Sequence, residues 1–267
     1  GPDDDKWECL QASKSIELEP GDRFCFVQPS QDYEQKYQYS LMGNWEVLPK
    51  NQIGSASFDY AYLKLMRLIK RKGQQQRNTK GGNRTLRKAV ELTINLAHES
   101  LCILPVTTLR QICPHYAVLE AIWYLRGEDH VRFLQRHNVK FWDKQARGDG
   151  WVGFNYGLLT AYASADDKTP FNQLEQNVLQ PLCQNRSSRN MVCSLSKPGE
   201  ETVQQACTSS VQFAVAKSAD GVETLDLTVT QRSSDFILGL PHDVVVWSVI
   251  LHLVRREVRI RSGPILR

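Results

Sequence analysis

The sequence predicts an α+β protein in which helices and strands are mixed along the chain. Apolar residues recur at helical spacing within residues 58–69, 114–126 and 243–254, whereas residues 222–231 alternate as a strand does. These segments do not alternate regularly and contain no repeat, which excludes a doubly wound sheet and a solenoid. At roughly 150 residues per domain, the 267 residues suggest one large domain with an appendage.

The composition is that of a folded protein in a reducing compartment. Hydrophobic residues make up 41% and charged residues 23%, which excludes a wholly disordered chain, and 33 Lys+Arg against 29 Asp+Glu give a net charge of +4. The longest apolar stretch, residues 244–254, is too short to span a bilayer, and the acidic first residues do not resemble a secretory signal. The seven cysteines form no CxxC pair, so we expect reduced thiols in a soluble, cytoplasmic protein.

A metal site is not expected. The six histidines include no HExxH pattern. His130 and His137 are seven residues apart and could share a helix face, but no third ligand lies near them in the sequence.

The first 55 residues differ from the rest of the chain in their pattern of apolar and turn-forming residues. Short alternating runs such as residues 24–27 are broken by Pro20-Gly21 and Pro29-Ser30, which predicts short strands and loops. We therefore predict a small β/loop N-terminal extension of unknown role over residues 1–55, followed by one domain over residues 56–267.

A basic segment follows the extension. Helical spacing over residues 58–69 predicts a helix that ends at Gly73, and a polar loop with two glycines follows it. Residues 61–90 contain ten Lys/Arg and no acid. This segment is a solvated helix face, a nucleic-acid-binding surface, or a loop that brings an arginine to a phosphate. The modest net charge and poor aromatic interleaving disfavour nucleic acid.

The later elements follow in order. Residues 114–126 are predicted to form an amphipathic helix that buries Ile122 and Trp123, and residues 133–138 another helical turn. Residues 222–231 are predicted to be a strand, and residues 243–254 a largely apolar, central helix.

Two segments carry candidate chemistry. Cys207 directly precedes a strand-like segment, and a cysteine near arginines has a lowered pKa and can act as a thiolate nucleophile. By itself, a lone cysteine is more often a small core residue. Residues 231–243 combine an arginine, two hydroxyls, an acid and a Gly-Leu-Pro turn, a pattern typical of an anion-binding loop that leads into a helix.

Together these segments resemble the thymidylate synthase family. The family has a cysteine followed by a Gln-Phe strand and then Gln-Arg-Ser-x-Asp-x-x-Leu-Gly-Leu-Pro-Phe-Asn. This chain has Cys207, Gln212-Phe213 and then QRSSDFILGLPHD at residues 231–243. Upstream, ILPVTTLR, LEAIWYLRGEDHVRFLQRHNVKFWD and WVGFNYG are similar to further family motifs. The resemblance runs in the family's order from Phe58 to Val254.

The resemblance implies a fold and a reaction. The fold is a twisted mixed sheet flanked by helices, in a homodimer whose two active sites share residues. The reaction transfers a one-carbon unit from 5,10-methylenetetrahydrofolate to C5 of a pyrimidine nucleoside monophosphate. Cys207 would add to C6, Glu120 would organise water and assist proton transfers, and Tyr156 would lie near the nucleophile.

The resemblance also implies binding residues. Arg232 and Ser233 would hold the nucleotide phosphate, and Arg189 would reach the same phosphate from the other subunit. Arg77 or Arg84 would match the arginine of a mobile loop. Gln231 and Asp243 complete the substrate-binding set. The folate-contacting positions are Trp142, Asp235, Leu238 and Gly239.

Asp243 is the most informative departure from the family pattern. The family has Asn here, whose amide pairs with the O4 and N3–H edge of uracil. Cytosine presents the reverse pattern, which an acid can satisfy by accepting from the N4 amino group and by contacting N3, either directly when protonated or through a bridging water. The same change marks the deoxycytidylate hydroxymethylase branch, of viral or phage type, in which water completes the reaction. The resemblance therefore implies conversion of dCMP to 5-hydroxymethyl-dCMP.

Other departures leave alternatives open. Thr208 replaces a His, Asn190 an Arg, His242 a Phe and Gln145 a Trp. The chain ends before the family's His-x-Tyr segment and C-terminal folate lid, so we expect part of the family's domain to be missing. The alternatives are a methylase or hydroxymethylase of dUMP or CMP, and a non-catalytic scaffold subunit in which Asp243 is drift.

Overall fold

A computed structural model describes residues 23–24, 45–46, 54–78, 81–86, 89–96, 103–153, 155–162, 171–197, 205–217, 219, 221 and 223–262. The chain divides into two compact units. The first comprises Gly1–Leu96 and Ile103–Cys113, and the second comprises Ala97–Cys102 and Pro114–Arg267.

The first unit contains the predicted helix. Helix α1 spans Gly54–Lys72 and buries Phe58, Tyr62 and Ile69, which confirms the helical spacing. Gly73 follows, and its N–H donates to the carbonyl of Ile69 at 2.8 Å. The last turn of α1 is basic, which suits the negative end of the helix dipole.

The polar segment after α1 is a hairpin, where a loop was predicted. Strands β3 (Gln74–Asn78) and β4 (Gly81–Thr85) pair antiparallel. The strand signal was missing because these strands carry polar residues and glycines in place of alternating apolar ones.

Only part of the predicted N-terminal extension lies within the described residues. Strands β1 (Arg23–Phe24) and β2 (Trp45–Glu46) pair antiparallel, with Arg23 opposite Glu46. The other residues up to 53 lie outside the described part of the chain, and the domain boundary at residue 56 stays a prediction.

The second unit contains a three-stranded antiparallel sheet. Strands β5 (Val192–Ser194), β6 (Thr208–Lys217) and β7 (Glu223–Gln231) lie in the order β5-β6-β7. Val211 pairs with Val229 and Phe213 with Leu227, so the predicted alternation of the last strand is confirmed. The register shifts between Thr208 and Ser210, at the start of β6.

The second unit also contains helices. They are α2 (Pro114–Leu125), α3 (Arg132–Arg136), α4 (Gln180–Gln184), which continues a π-helical segment over Leu174–Leu179, and α5 (Leu240–Ser262). Helix α5 buries Val246, Trp247 and Ile250, which confirms a largely apolar helix in the core. It extends beyond residue 254, where Arg255, Arg256 and Glu257 interrupt the apolar pattern.

One core residue of α2 was predicted wrongly. Trp123 is fully buried, but Ile122 is 37% exposed. The buried arc of α2 includes Glu120, and residues two apart on a helix lie about 200° apart, so Ile122 faces away from it.

The α+β class is confirmed. Among the described residues, no helix is long and apolar enough to cross a membrane. The same part of the chain holds no group of three or more His, Cys, Asp or Glu side chains suited to a metal ion.

Candidate active site

Three predicted segments meet at one end of the sheet. Cys207 directly precedes β6, and Gln231 ends β7. Because β6 and β7 run antiparallel, the start of one lies beside the end of the other, and Thr208 pairs with Gln231. The turn that follows β7 leads into α5 at Leu240. This topology places Cys207, residues 231–239 and the first turn of α5 close together at that end of the sheet.

The candidate nucleophile has a well-defined backbone. Cys207 is half-buried with its thiol reduced, and its carbonyl accepts from the N–H of Arg232 at 2.9 Å. The N–H of the fully buried Thr208 donates to the hydroxyl of Tyr156 at 3.3 Å. Cys193, by contrast, lies in the core, and burial raises the pKa of its thiol to about 12.

Arg232 is anchored to the segment that precedes the cysteine. Its Nε donates to the carbonyl of Ala206 at 3.0 Å, and its Nη2 donates to the carbonyl of Gln205 at 2.7 Å. A guanidinium has five N–H donors, so these two bonds orient the group and leave donors for an anion. Arg232 and Ser233 are both exposed to solvent.

Glu120 lies at the centre of a hydrogen-bonded cluster. Its Oε1 accepts from the Tyr124 hydroxyl at 2.8 Å and from Nε1 of Trp142 at 2.7 Å. Its Oε2 lies 2.5 Å from Nε2 of His242. Tyr124 follows Glu120 at the i+4 position of α2, a spacing that places two side chains on one helix face. Glu120 and Trp142 were predicted from the sequence as site residues, whereas Tyr124 and the contact with His242 were not.

Asp243 lies beside this cluster. Its Oδ2 accepts from Nε2 of Gln231 at 2.7 Å, and the same amide lies 3.5 Å from the hydroxyl of Thr208. Burial, and next the charge of Glu120, raise the pKa of Asp243 to about 6, against the opposing effects of Gln231 and His242. Two carboxylates therefore share one low-dielectric site, and Asp243 can hold a proton near neutral pH.

Aromatic rings surround the two acids. Tyr124 and Tyr156 stack with centroids 4.4 Å apart and an interplanar angle of 9°. Trp142 meets Tyr156 edge-on at 5.8 Å. Burial raises the pKa of both tyrosines, reinforced by Glu120 at Tyr124 and by Asp243 at Tyr156, so both phenols stay protonated.

The turn before α5 contains the predicted folate-side residues. Asp235 Oδ1 accepts from the N–H groups of Ile237 and Leu238, at 3.0 and 2.9 Å. Its carbonyl accepts from the N–H of Gly239 at 2.8 Å, and a Cβ on Gly239 would lie 3.2 Å from that carbonyl oxygen. Asp235 thus builds the turn that begins α5. Leu238 is 62% exposed and presents an apolar surface there.

The remaining predicted arginines belong to other elements of the chain. Arg189 is exposed on the segment between α4 and β5, outside the hydrogen-bonded cluster formed by described residues. Arg77 lies on β3 opposite Gly82, and Arg84 lies on β4 opposite Gln75, both in the first unit. Their predicted contacts with phosphate, and the choice between Arg77 and Arg84, stay predictions.

Comparison with known proteins identifies the family. A family model described as thymidylate synthase matches residues 60–266. A thymidylate synthase of Coxiella burnetii (strain Dugway 5J108-111) is 29% identical over 164 residues, which are 61% of this chain and 60% of that protein. A thymidylate synthase of Baumannia cicadellinicola subsp. Homalodisca coagulata is 27% identical over 207 residues, covering 77% and 75% of the two chains. The match to the Coxiella protein thus spans 60% of its length. Since the family model covers well over half of its residues, the chain belongs to the thymidylate synthase family.

Proposed function

We propose that this protein transfers a one-carbon unit to C5 of a pyrimidine nucleotide, with dCMP as substrate and 5-hydroxymethyl-dCMP as product. The observation that carries the proposal is the pair of neighbouring acids, Glu120 and Asp243, of which Asp243 titrates near pH 6. Cytosine recognition needs an acid that can both accept and donate, and catalysis at C5 needs a second group to manage protons.

Cys207 starts the reaction as a thiolate. Its Sγ forms a bond to C6 of the base, and the electron pair of the C5=C6 bond moves toward C5 and the N3 edge. Asp243, when protonated, donates to N3 and stabilises the charge that develops there, while its other oxygen accepts from the N4 amino group. The guanidinium of Arg232, anchored beside the cysteine, favours the thiolate.

Arg232 and Ser233 are proposed to bind the nucleotide phosphate. Both are exposed where β7 ends, and Arg232 has donors beyond the two that anchor it. Arg189, from the partner subunit of a homodimer, and Arg77 or Arg84 would supply further positive charge. Gln231 holds Asp243 through a 2.7 Å hydrogen bond and thereby orients the group that faces the base.

The residues around the turn before α5 fit a folate. The exposed Leu238 and the half-buried Trp142 offer apolar surface. Asp235 offers a carboxylate in the same turn, where its backbone carbonyl lies close to Gly239. When bound, 5,10-methylenetetrahydrofolate supplies the one-carbon unit. Glu120, held by hydrogen bonds from three side chains, positions the water that completes the reaction.

Because the reaction needs Cys207 reduced, we place the protein in the cytoplasm.

One incubation tests this proposal. The protein is mixed with methylenetetrahydrofolate and dCMP, dUMP or CMP, and the products are followed by mass spectrometry and by the absorbance of dihydrofolate. A gain of CH2O on dCMP without dihydrofolate is the expected result. A gain of CH2 with dihydrofolate would indicate a methylase. Product from dUMP or CMP and none from dCMP would show that the substrate is a different nucleotide. No product with any nucleotide would favour a scaffold subunit.

Two substitutions make the test specific to residues. Cys207→Ser should abolish both product formation and tritium release from C5-labelled nucleotide, whereas Cys183→Ser, at an exposed thiol, should leave both unchanged. Asp243→Asn should shift the preference from dCMP toward dUMP, because an amide donates where the acid accepted. Tritium release that survives in Cys207→Ser, or an unchanged dCMP/dUMP ratio in Asp243→Asn, would contradict the assignments.

A further inference from the structure

The contact between His242 and Glu120 is unlike the other two contacts of this carboxylate. Nε2 and Oε2 lie 2.5 Å apart, and the two side chains are only 17% and 5% exposed. Either the imidazole N–H donates to the carboxylate, or a protonated Glu120 donates to the imidazole nitrogen. In both forms one proton lies between the two atoms.

The other donors to Glu120 do not titrate near neutral pH. Burial and Glu120 raise the pKa of Tyr124, and the indole N–H of Trp142 does not ionise. An imidazole changes charge close to neutral pH. His242 is therefore the donor in this cluster whose protonation can follow the reaction.

The hydrogen bonds also define where Glu120 can accept a proton. A carboxylate has about four lone-pair sites. Tyr124 and Trp142 occupy both sites on Oε1, and His242 occupies one on Oε2. Among the described residues, the acceptor site that is left without a donor is on Oε2, beside the imidazole. A water bound there would contact the same oxygen that His242 contacts.

We propose that His242 is a positioning residue that forms a proton-sharing pair with Glu120, and that this pair accepts the proton of the water that completes the reaction. The inference rests on the proposed function and adds to it the group that controls the last proton transfer. His242 lies in the first turn of α5, where its backbone N–H donates to the carbonyl of Gly239 at 2.9 Å, and its ring meets Phe141 edge-on at 5.1 Å. These contacts hold the imidazole toward Glu120.

The step balances in atoms and charge. The water oxygen forms a bond to the exocyclic methylene carbon at C5, and one water O–H bond breaks as its proton passes to Oε2 of Glu120. The electron pair of the exocyclic double bond moves into the ring, the C5=C6 bond re-forms, and the C6–Sγ bond to Cys207 breaks to return the thiolate. The charge of the pair changes from −1 to 0.

The ionisable groups around the pair determine how to test it. They are Tyr124 on α2, Asp243 on α5, Asp235 in the turn before it, and Tyr156 and Cys207 beside Asp243. The pair must carry −1 to act as a base, so kcat should fall at acidic pH as the pair gains a proton. Asp243 acts in its protonated form in the first step, so its ionisation affects the alkaline side instead.

Two variants of His242 distinguish a residue that must gain and lose a proton from one that only donates a hydrogen bond to Glu120. His242→Gln keeps an N–H donor for Glu120 but cannot titrate, and His242→Phe removes the donor. In both variants the acidic limb of the kcat–pH profile should move to lower pH by about one unit or more, while KM for the nucleotide changes less than about threefold. His137→Gln, at an exposed histidine, is the control and should keep the wild-type profile. A wild-type acidic limb in His242→Gln would overturn the proposal.

A second measurement does not depend on activity. Protein labelled with 15N-histidine is titrated by two-dimensional 1H–15N NMR, and the ring signals of His242 are assigned by their loss in His242→Gln. The titration midpoint of His242 should fall in Glu120→Gln, because an amide no longer stabilises the imidazolium. An unchanged midpoint would refute the pair. A coupled titration in a protein that forms no product would refute the proposed function and leave the pair intact.

Discussion

Replacing the charge at Asp243 should stabilise the folded protein above pH 6. The pKa of this carboxyl rises from its ordinary 3.8 to about 6 on folding, a change of about 2 units. At about 1.36 kcal/mol per unit, ionised Asp243 costs the folded state about 3 kcal/mol. Because the pKa is raised, the stabilising contribution of protonated Asp243 is complete below pH 3.8 and is lost as pH rises through 6. Asp243→Asn removes this loss, and its amide oxygen still accepts from Gln231.

Urea denaturation followed by circular dichroism checks this result. The Asn variant should be more stable than the wild type by about 2–3 kcal/mol at pH 7.5 and by less than about 1 kcal/mol near pH 4. Asp226→Asn, at an exposed position on β7, should show no such dependence on pH. Equal stabilities of wild type and Asp243→Asn at pH 7.5, or a difference that is the same at both pH values, would refute the reasoning.

Two further predictions concern the framework of the second unit. Gly127 has φ +65°, and a Cβ there would lie 2.6 Å from the Cβ of Ala161, so Gly127→Ala should lower the free energy of unfolding by about 2 kcal/mol or more. Gly148→Ala, whose added Cβ would meet no described atom within 4 Å beyond its chain neighbours, should be near neutral by the same denaturation assay. The buried amide of Gln173 bonds two backbone carbonyls and one backbone N–H at 2.7–2.8 Å, so Gln173→Leu should cost about 3 kcal/mol or more. An exposed counterpart, Gln180→Leu, should cost little, and equal losses in the two would contradict the role of Gln173.

The candidate site combines features that oppose stability. Glu120 and Asp243 are neighbouring acids in a poorly solvated environment, and burial, followed by the charge of Glu120, raises the pKa of Asp243. The surrounding donors, Tyr124, Trp142, His242 and Gln231, offset this cost by bonding the carboxylate oxygens. A pair of acids held in this way is typical of a site that moves protons.

Much of the fold was predictable from local patterns. Helix α1, strand β7 and the apolar part of α5 repeat at the periods of helix and strand, because each buries one face. The β3–β4 hairpin was missed because its polar residues carry no such period. Ile122 was misplaced because apolar character alone does not say which arc of a helix is buried.

The sequence by itself determined the chemistry that is available. It places a cysteine before strand β6, an arginine and an acid in the turn after strand β7, and an acid where the family has an amide. These are properties of residue type and local spacing. Only the tertiary structure decided which groups act together, since Glu120 and His242 are 122 residues apart and meet where α2 packs against α5. Burial, which depends on every packed element at once, then raised the pKa of Asp243 toward neutral pH. The proton-sharing pair and the titrating acid follow from that packing.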